Sequence, residues 1–330
     1  MLEYSIIIRT TGKANDKYQK LLNSIKNLIP LPKEIIVVLP ENSKIPKEKL
    51  GWETYYFCPK GMVRQRLEGI NKCKTKYALI CDDDLQFSSD FVGKLAKPVL
   101  EKKCSLSAGP LYTFLPHKGV NSIICTILGS SVPTLFHKKK YIHVLNTSGY
   151  SYNKNLHNNK NKYYDTDSVA WTCFFADIKK LKSIRLEDEI WLDMHGYSYL
   201  DDQTMFYKGK LMNIKTMVVP GAIYMHLDGK TSTKNNNNEV VLYSIGFNRT
   251  IFWHRFLFKM KKNRVGKLWA IICFSYWGMS NFILDFSNLL RGNLKKREFK
   301  IKCNGYFDAF KYIRSKRYRE LPDVLGEEDE

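Results

Sequence analysis

Three consecutive aspartates, Asp82, Asp83 and Asp84, end a short apolar run in the segment YALICDDDL. An apolar run of this length, bounded by polar residues, is typical of a buried strand. Three carboxylates at the end of a strand cannot all be buried and ionised without a partner, because neighbouring like charges raise one another's pKa. A divalent cation bound to a diphosphate supplies such a partner, and aspartate oxygens suit Mg²⁺ or Mn²⁺.

The D-x-D spacing lets Asp82 and Asp84 both face a metal-bound diphosphate, and Asp83 is then expected to face a nucleotide ribose or to be structural. The alternative is a solvated acidic turn, since short motifs often arise by chance. The context favours the functional interpretation, because a helix-like segment carrying Arg64 and Arg66 precedes the aspartates. Either arginine can pair with phosphate or be an exposed helix residue.

A second acidic pair, Asp201 and Asp202, begins a helix-like run in the segment YLDDQTMFYK. Acidic residues in a first helical turn complement the helix dipole, so the pair can be a helix cap. A carboxylate at this position can also be a general base that deprotonates an incoming hydroxyl group. The two roles are compatible.

Two further candidates follow apolar segments. His226 directly follows the apolar residues 217–225, which we interpret as a strand. A lone histidine is more often packed or solvated than a ligand. However, it follows the acidic pair by about the length of one helix and one strand, which would return the chain to the same site.

Thr10 and Thr11 end the first apolar segment and can form either a plain turn or a nucleotide-contacting loop.

The elements that would position these residues alternate between apolar strands and amphipathic helices. The predicted strands cover residues 5–9, 34–39, 54–57 and 77–81, and the predicted helices cover residues 16–28, 61–73 and 90–102. This alternation predicts an α/β domain with a parallel sheet. Ligands of such sheets bind beyond the carboxyl ends of the strands, which is where the three aspartates lie.

The composition is that of a globular chain with an uneven charge. The 330 residues are 44% hydrophobic and 13% aromatic, which excludes a disordered protein. The formal net charge is +21, and the only acidic residues between 249 and 319 are Asp285, Glu298 and Asp308. A basic surface predicts an anionic partner, namely phospholipid head groups, nucleic acid or a phosphorylated substrate.

The eight cysteines include no C-x-x-C pair, which favours reduced, buried thiols in a cytoplasmic protein over a disulfide framework. No signal peptide is expected, because a strand-like pattern begins within a few residues of Met1.

Residues 268–284 carry no charge but include small and polar residues. They fall short of the roughly 20 strongly apolar residues that a spanning helix needs. Trp269, Tyr276 and Trp277, with flanking Lys and Arg, suit an anionic membrane interface. An ordinary helical subdomain with a solvated basic face explains the pattern equally well.

Taken together, these segments resemble the inverting glycosyltransferases of family 2, which have the GT-A fold. The resemblance covers about residues 4–230 and rests on SIIIRTTG, EIIVVLPE, GMVRQRLEGI, ALICDDDL and LDDQTMFYK. It implies a nucleotide-binding α/β sheet flanked by helices. Residues 1–110 would form the nucleotide-sugar half and residues 111–240 the acceptor half, followed by a basic helical C-terminal region at 241–330.

The resemblance also implies roles for individual residues. The D-x-D aspartates of the family coordinate Mn²⁺ or Mg²⁺ and the donor diphosphate, and a histidine after the last core strand can complete the metal shell. The metal ligands implied are therefore Asp84, Asp82 and His226, and the catalytic base is Asp202 or Asp201. The donor-binding residues implied are Thr10, Thr11, Glu41, Arg66, Asp82 and Asp83, with Glu41 standing where the family usually has aspartate.

The expected function is transfer of a hexose, with inversion, from a nucleotide sugar to a saccharide or lipid-linked saccharide. The product would belong to a cell-surface polysaccharide such as capsule, lipopolysaccharide or exopolysaccharide. We expect a cytoplasmic enzyme, peripheral at the inner face of the cell membrane, that does not bind nucleic acid. The loop at 151–164 or the loop at 231–238 is expected to close over the substrates, and Trp171 to Phe175 to line the acceptor site or the core.

Two other classes of protein compete with this interpretation. A nucleotidyltransferase acting on sugar phosphates also uses paired aspartates, but it more often has a glycine-rich phosphate loop after the first strand, where this chain has only Gly12. A basic nucleic-acid-binding protein would explain the charge. No recognised binding motif supports that alternative, and the aspartates would repel phosphate.

Overall fold

The computed structural model describes residues 2–110, 140–153, 162–227 and 238–326. The backbone divides into two compact units, one of residues 1–113 and 157–236 and the other of residues 114–156 and 237–330. The donor and acceptor halves predicted within residues 1–240 are not separated by this division and stay a prediction.

The strands alternate with helices at the start of the chain, as the sequence predicted. In chain order they are β1 (Tyr4–Arg9), β2 (Glu34–Pro40), β3 (Glu53–Cys58), β4 (Tyr77–Asp82), β5 (Leu85–Phe87), β6 (Leu106–Ala108), β7 (Ile142–Val144), β8 (Ser151–Asn153), β9 (Tyr164–Thr166), β10 (Cys173–Asp177), β11 (Thr216–Val218) and β12 (Tyr224–His226).

Among the described residues, eight strands of the first unit form one sheet in the order β3-β2-β1-β4-β10-β6-β11-β9. Strands β1 to β4 are parallel, as predicted. Strand β10 is antiparallel to both β4 and β6, so the sheet is mixed rather than wholly parallel. Because β10 is short and apolar on both faces, its direction left no pattern in the sequence.

Helices of the first unit cover the sheet and carry the site residues. They are α1 (Asp16–Lys26), α2 (Met62–Lys72), α3 (Phe91–Leu100), α4 (Ile178–Ser183) and α5 (Asp201–Leu211), with a 3₁₀ segment at Leu186–Asp193. Helix α1 buries Tyr18, Leu21, Leu22 and Ile25, whose spacing forms one apolar face. This face packs in the core beside the side chains of β1 and β2.

The predicted strand over residues 217–225 is wrong in its extent. The structure has two short strands there, β11 and β12, which belong to different sheets. Pro220 and Gly221 lie between them at a turn. Proline lacks the N–H that a strand ladder needs, and together the two residues favour a turn, which separates the strands.

The second unit is helical in its C-terminal part. Its helices are α6 (Asn238–Phe252), which continues as a π-helical segment (Trp253–Phe258), α7 (Arg264–Leu290), α8 (Lys296–Arg314) and α9 (Lys316–Arg319). Helices α6 and α8 approach closely at Gly305, where a Cβ atom would lie 2.2 Å from the carbonyl oxygen of Tyr243. In the part of the chain that the structure describes, no helix is both long and apolar enough to cross a membrane.

Candidate active site

The site begins where β1 and β4 end side by side. Their parallel register pairs Arg9 with Asp82. The Arg9 side chain donates to Asp82 Oδ1 from Nη2 at 3.0 Å and from Nε at 3.2 Å. Burial acts to lower the pKa of Arg9, but the charges of Asp82 and Asp83 outweigh it and raise that pKa above its ordinary value. Arg9 therefore stays cationic at the end of the sheet.

Arg66 connects the aspartate end of β4 to the acidic start of α5. Its buried guanidinium pairs with Asp201 Oδ2 through Nη1 and lies 3.5 Å from Asp82 Oδ1 through Nη2. The same guanidinium lies 4.4 Å from the centre of the Trp171 ring, a cation–π contact. Two of the sequence-predicted motifs thus meet at one arginine.

The helix that carries Arg66 is held in place by a residue that the sequence analysis missed. Asp193 accepts from the backbone N–H of Val63 at 3.2 Å and from that of Arg64 at 3.0 Å. A Cβ atom on Gly61 would lie 2.3 Å from Asp193 Oδ2, so a larger residue there would displace this carboxylate. Gly61 before a helix without a local capping side chain was the one available signal.

The two carboxylates of the acidic pair have different surroundings. Asp201 is buried, and its second oxygen, Oδ1, accepts from the backbone N–H of Asp202 at 2.8 Å. Both oxygens of Asp201 are therefore engaged. Asp202 is only partly buried, and its Oδ1 accepts from the backbone N–H of Gln203 at 2.6 Å. Burial, together with the charges of both aspartates, raises the pKa of nearby Tyr197.

Asp83 faces the loop after β1. Its Oδ2 accepts from Thr10 Oγ1 at 2.5 Å. Burial raises the pKa of Asp83 to about 6, although the Thr10 hydrogen bond and Arg9 oppose the shift. Gln65 donates to the carbonyl oxygens of Thr10 and Val38, at 3.0 and 3.1 Å. These contacts fix the ends of β1, β2 and β4 together.

Two other predicted donor-binding residues lie at the same edge. Thr11 Oγ1 is buried and has no hydrogen-bond partner within the described part of the chain. Glu41 is exposed and directly follows β2, the strand beside β1. Gly12 has φ +75°, and a Cβ atom on it would lie 2.5 Å from the Lys44 carbonyl oxygen, so this loop also depends on glycine.

Asp84 and His226, far apart in sequence, come together through the small sheet of β5 and β12. The antiparallel register pairs His226 with Leu85, and Leu227 N donates to the Asp84 carbonyl oxygen at 2.8 Å. His226 Nε2 lies 3.2 Å from Asp84 Oδ1. A carboxylate beside an imidazole is a donor pair that suits a divalent transition metal such as Mn²⁺.

The geometry reflects the predicted metal site only in part. The described residues include no group of three or more His, Cys, Asp or Glu that could hold an ion by themselves. Asp82, predicted as a ligand, has its Oδ1 held by Arg9 and Arg66. The residues present therefore fit a cation held by Asp84 and His226 whose remaining positions are filled by a diphosphate and water.

The segment WTCFF is mainly core. Phe174 and Phe175 are fully buried on β10, and Trp171 packs on Phe174 and Phe206 as well as on Arg66. The predicted closing loops lie largely outside the described residues, which omit 154–161 and 228–237.

Comparison with known proteins decides the family. The model of the family described as Glycosyl transferase family 2 matches residues 5–175, slightly more than half of the chain. The chain belongs to glycosyltransferase family 2. The matched range contains the D-x-D aspartates and Arg66 and ends within β10. The protein is therefore a glycosyltransferase, which resolves the choice among the three classes of protein that the sequence left open.

Solved structures agree on the fold of this family 2 enzyme. Residues 1–349 of TarS from S. aureus are 14% identical, with 93% of this chain and 81% of that chain covered, at a TM-score of 0.50. The same TarS fragment in complex with UDP-GlcNAc is 14% identical, with 97% and 84% covered, at a TM-score of 0.49. At this identity the likeness concerns the fold alone, which is GT-A as predicted. No curated protein matched the chain.

Proposed function

We propose that this glycosyltransferase moves a hexose, with inversion, from a nucleotide-sugar donor to a hydroxyl group of a saccharide or lipid-linked saccharide. Its product would be a cell-surface polysaccharide, and the enzyme would work as a peripheral protein at the inner face of the cell membrane. The observation that carries the proposal is the Arg66 link. The Arg66 guanidinium contacts both the aspartate end of β4 and the acidic start of α5. Sugar transfer requires the donor site and the base that activates the acceptor to lie this close together.

The donor nucleotide is proposed to lie along the carboxyl ends of β1, β2 and β4. The residues that would contact its ribose and base lie at these strand ends, namely Thr10, Thr11, Glu41 and Asp83. Ligands of α/β sheets bind at this edge, where the strand order reverses. In this sheet β1 lies between β2 and β4, so the reversal falls beside β1.

Charge balance supports a cation at the donor diphosphate. Arg9 and Arg66 are matched in charge by Asp82 and Asp201, so these four side chains do not form an anion site by themselves. Asp84 and His226 would hold Mn²⁺ or Mg²⁺, with Asp82 facing the diphosphate. When bound, the ion would neutralise the charge that develops on the departing diphosphate.

Asp202 is the proposed catalytic base. Asp201 has both oxygens engaged, whereas Asp202 is the partly exposed member of the pair. Asp202 takes the proton as the acceptor oxygen attacks the anomeric carbon from the face opposite the nucleotide. The bond between that carbon and the diphosphate breaks, and the nucleoside diphosphate leaves with the electron pair. Arg66 and Asp201 keep the first turn of α5 in position.

The proposal is tested with a panel of UDP-, GDP- and dTDP-sugars in the presence of Mn²⁺, read by release of the nucleoside diphosphate. We expect one nucleotide class to be consumed and chelation by EDTA to stop the release. Release that continues undiminished in EDTA would contradict the metal assignment. Failure of every donor to bind in a calorimetric titration would contradict the nucleotide-sugar assignment.

A further inference from the structure

Helix α7 has an exposed apolar stripe along most of its length. The stripe consists of Leu268, Ile272, Met279, Ile283, Phe286 and Leu290. Their spacings of three, four and seven residues place them on one face of the helix. Their exposure ranges from 45% for Phe286 to 73% for Leu290. A 27-residue helix is about 40 Å long. Soluble proteins rarely expose a continuous apolar patch of that extent unless it is an interaction surface.

Packing within the second unit fixes the direction in which this stripe points. The opposite face of α7 is buried at Ala270, Cys273, Phe274 and Trp277. Phe274 stacks on Trp253 with ring centres 4.2 Å apart, inside the same unit. The helix therefore already has a core-facing side, and the stripe is a second, largely exposed apolar face. Phe286 also contacts Phe299 of α8, with ring centres 6.3 Å apart.

The charges around the stripe are arranged in a regular way. Residues 268–284 contain no charged side chain, whereas both ends of the helix are basic. The cations are Lys259, Lys261, Lys262, Arg264 and Lys267 at one end, and Arg291, Lys295 and Lys296 at the other. The neighbouring Arg297 is paired with Glu239, with Nε 2.7 Å from Glu239 Oε1. The one acidic residue of α7, Asp285, pairs with Lys302 at 2.6 Å. The stripe is thus an apolar face with a cationic cluster at each end.

We propose that the α7 stripe and its two cationic ends form a surface that lies flat on an anionic lipid bilayer. Apolar side chains would enter the boundary between head groups and acyl chains, while Lys and Arg would contact anionic head groups. Trp269 and Tyr276 are exposed beside the stripe, and their amphipathic rings suit that boundary.

A second copy of this chain is the other partner to weigh, and the charges argue against it. Because both ends of α7 are basic, pairing two stripes in either direction would bring one cationic cluster against another. An anionic membrane surface would attract both cationic clusters at once. The inference deepens the proposed action at the membrane and rests on it only for its biological meaning, since α7 is remote in sequence from the catalytic motifs.

The test is co-sedimentation of the full-length protein with vesicles of phosphatidylcholine alone or mixed with phosphatidylglycerol. We expect binding to the mixed vesicles that weakens as salt is added, and little binding to phosphatidylcholine alone. The variants Ile272→Glu/Ile283→Glu and Lys261→Glu/Lys262→Glu should each lower the affinity at least tenfold. Ile45→Glu, at an isoleucine of the first unit that is 41% exposed against 48% for Ile272, is the control and should bind as wild type.

Equal binding of the stripe variant and wild type would overturn the proposal, as would equal binding to both kinds of vesicle. Analytical ultracentrifugation tests whether a second copy of the chain is the partner instead. A dimer that Ile272→Glu/Ile283→Glu converts to a monomer would assign the stripe to a second copy and also overturn it. The assay uses neither donor nor acceptor. Loss of vesicle binding with normal turnover therefore contradicts this inference alone, and normal vesicle binding without turnover contradicts the proposed function alone.

Discussion

At the scale of single residues, Arg66 is the side chain on which the site most depends. It is buried, and it contacts Asp82, Asp201 and the ring of Trp171. Removing one member of a buried ion pair leaves the other charge buried without its partner, which is costly. Arg66 is therefore expected to affect both stability and catalysis.

We predict that Arg66→Met lowers the free energy of unfolding by about 3–5 kcal/mol, because two carboxylates would lose their shared cation. Urea denaturation followed by circular dichroism measures the change. Arg64→Met, two positions earlier on the same helix and partly exposed, is the control and should change stability little. An Arg66→Met protein as stable as wild type would show that the guanidinium does not bridge the two motifs.

The Asp84–His226 pair leads to a prediction about the metal. Asp84→Asn and His226→Gln should each weaken Mn²⁺ binding in the presence of donor by at least tenfold, or about 1.4 kcal/mol. Isothermal titration calorimetry measures this directly. Glu41→Gln, at the same edge of the sheet but outside the pair, should leave Mn²⁺ affinity unchanged when the donor is saturating. If Glu41→Gln lowers the affinity for Mn²⁺ as much as Asp84→Asn does, the assignment of the ion to Asp84 and His226 is wrong.

At the residue scale, the sequence was informative where a residue type coincided with the end of an apolar segment. Asp82 to Asp84 and His226 were selected in this way, whereas Asp201 and Asp202 were selected because they begin a helix-like run. The roles of all six residues stay predictions. The Arg66–Asp201 pair and the cap that Asp193 provides for α2 were not found. Each joins positions more than a hundred residues apart. The local sequence around Arg66 does not indicate its partner, and Gly61 at the start of α2 signals only that a local capping side chain is missing.

At the scale of elements, the crossing of α6 and α8 depends on a glycine. A Cβ atom on Gly305 would lie 2.2 Å from the Tyr243 carbonyl oxygen, so the backbones could not keep their spacing. Gly278, within α7, has no atom within 4 Å of its would-be Cβ. Alanine favours a helix over glycine by about 1 kcal/mol when nothing obstructs it.

The same substitution should therefore have opposite effects at these two positions. Gly305→Ala is expected to lower the free energy of unfolding by about 1–3 kcal/mol, because the helices must move apart. Gly278→Ala should raise it by up to about 1 kcal/mol. Thermal and urea denaturation of the two variants provide the comparison. If both variants shift stability in the same direction, the close approach of α6 and α8 is not as described.

Helices and strands were predictable where the apolar periodicity was strong. They were less predictable where the direction of a strand or a break between two strands had to be found. The parallel strands β1 to β4 and the helices α1 to α3 follow directly from their apolar spacing. Strand β10 and its antiparallel direction were not predicted, because a segment buried on both faces has no alternation that reveals a strand or its orientation. The break between β11 and β12 was missed, although Pro220 marked it.

At the scale of the whole molecule, the fold class and the family were predictable from motif order. The family match confirms the family, and the TarS structure confirms the fold. The grouping of residues 114–156 with 237–330 could not be anticipated, because it joins segments that are distant in sequence. The excess of basic residues pointed to an anionic partner, but the sequence alone did not separate a solvated face from a membrane surface. The exposed stripe of α7 now favours the membrane.

We propose that the protein transfers a sugar with Asp202 as base, in a site organised by Asp201 and Arg66. The most direct measurement is donor binding and acceptor-dependent nucleotide release, compared between Asp202→Asn and wild type. We predict that Asp202→Asn binds the donor normally and loses about 10²–10⁴-fold in transfer, as expected for loss of a general base. Near-normal transfer by Asp202→Asn, with the full loss appearing in Asp201→Asn instead, would contradict the account.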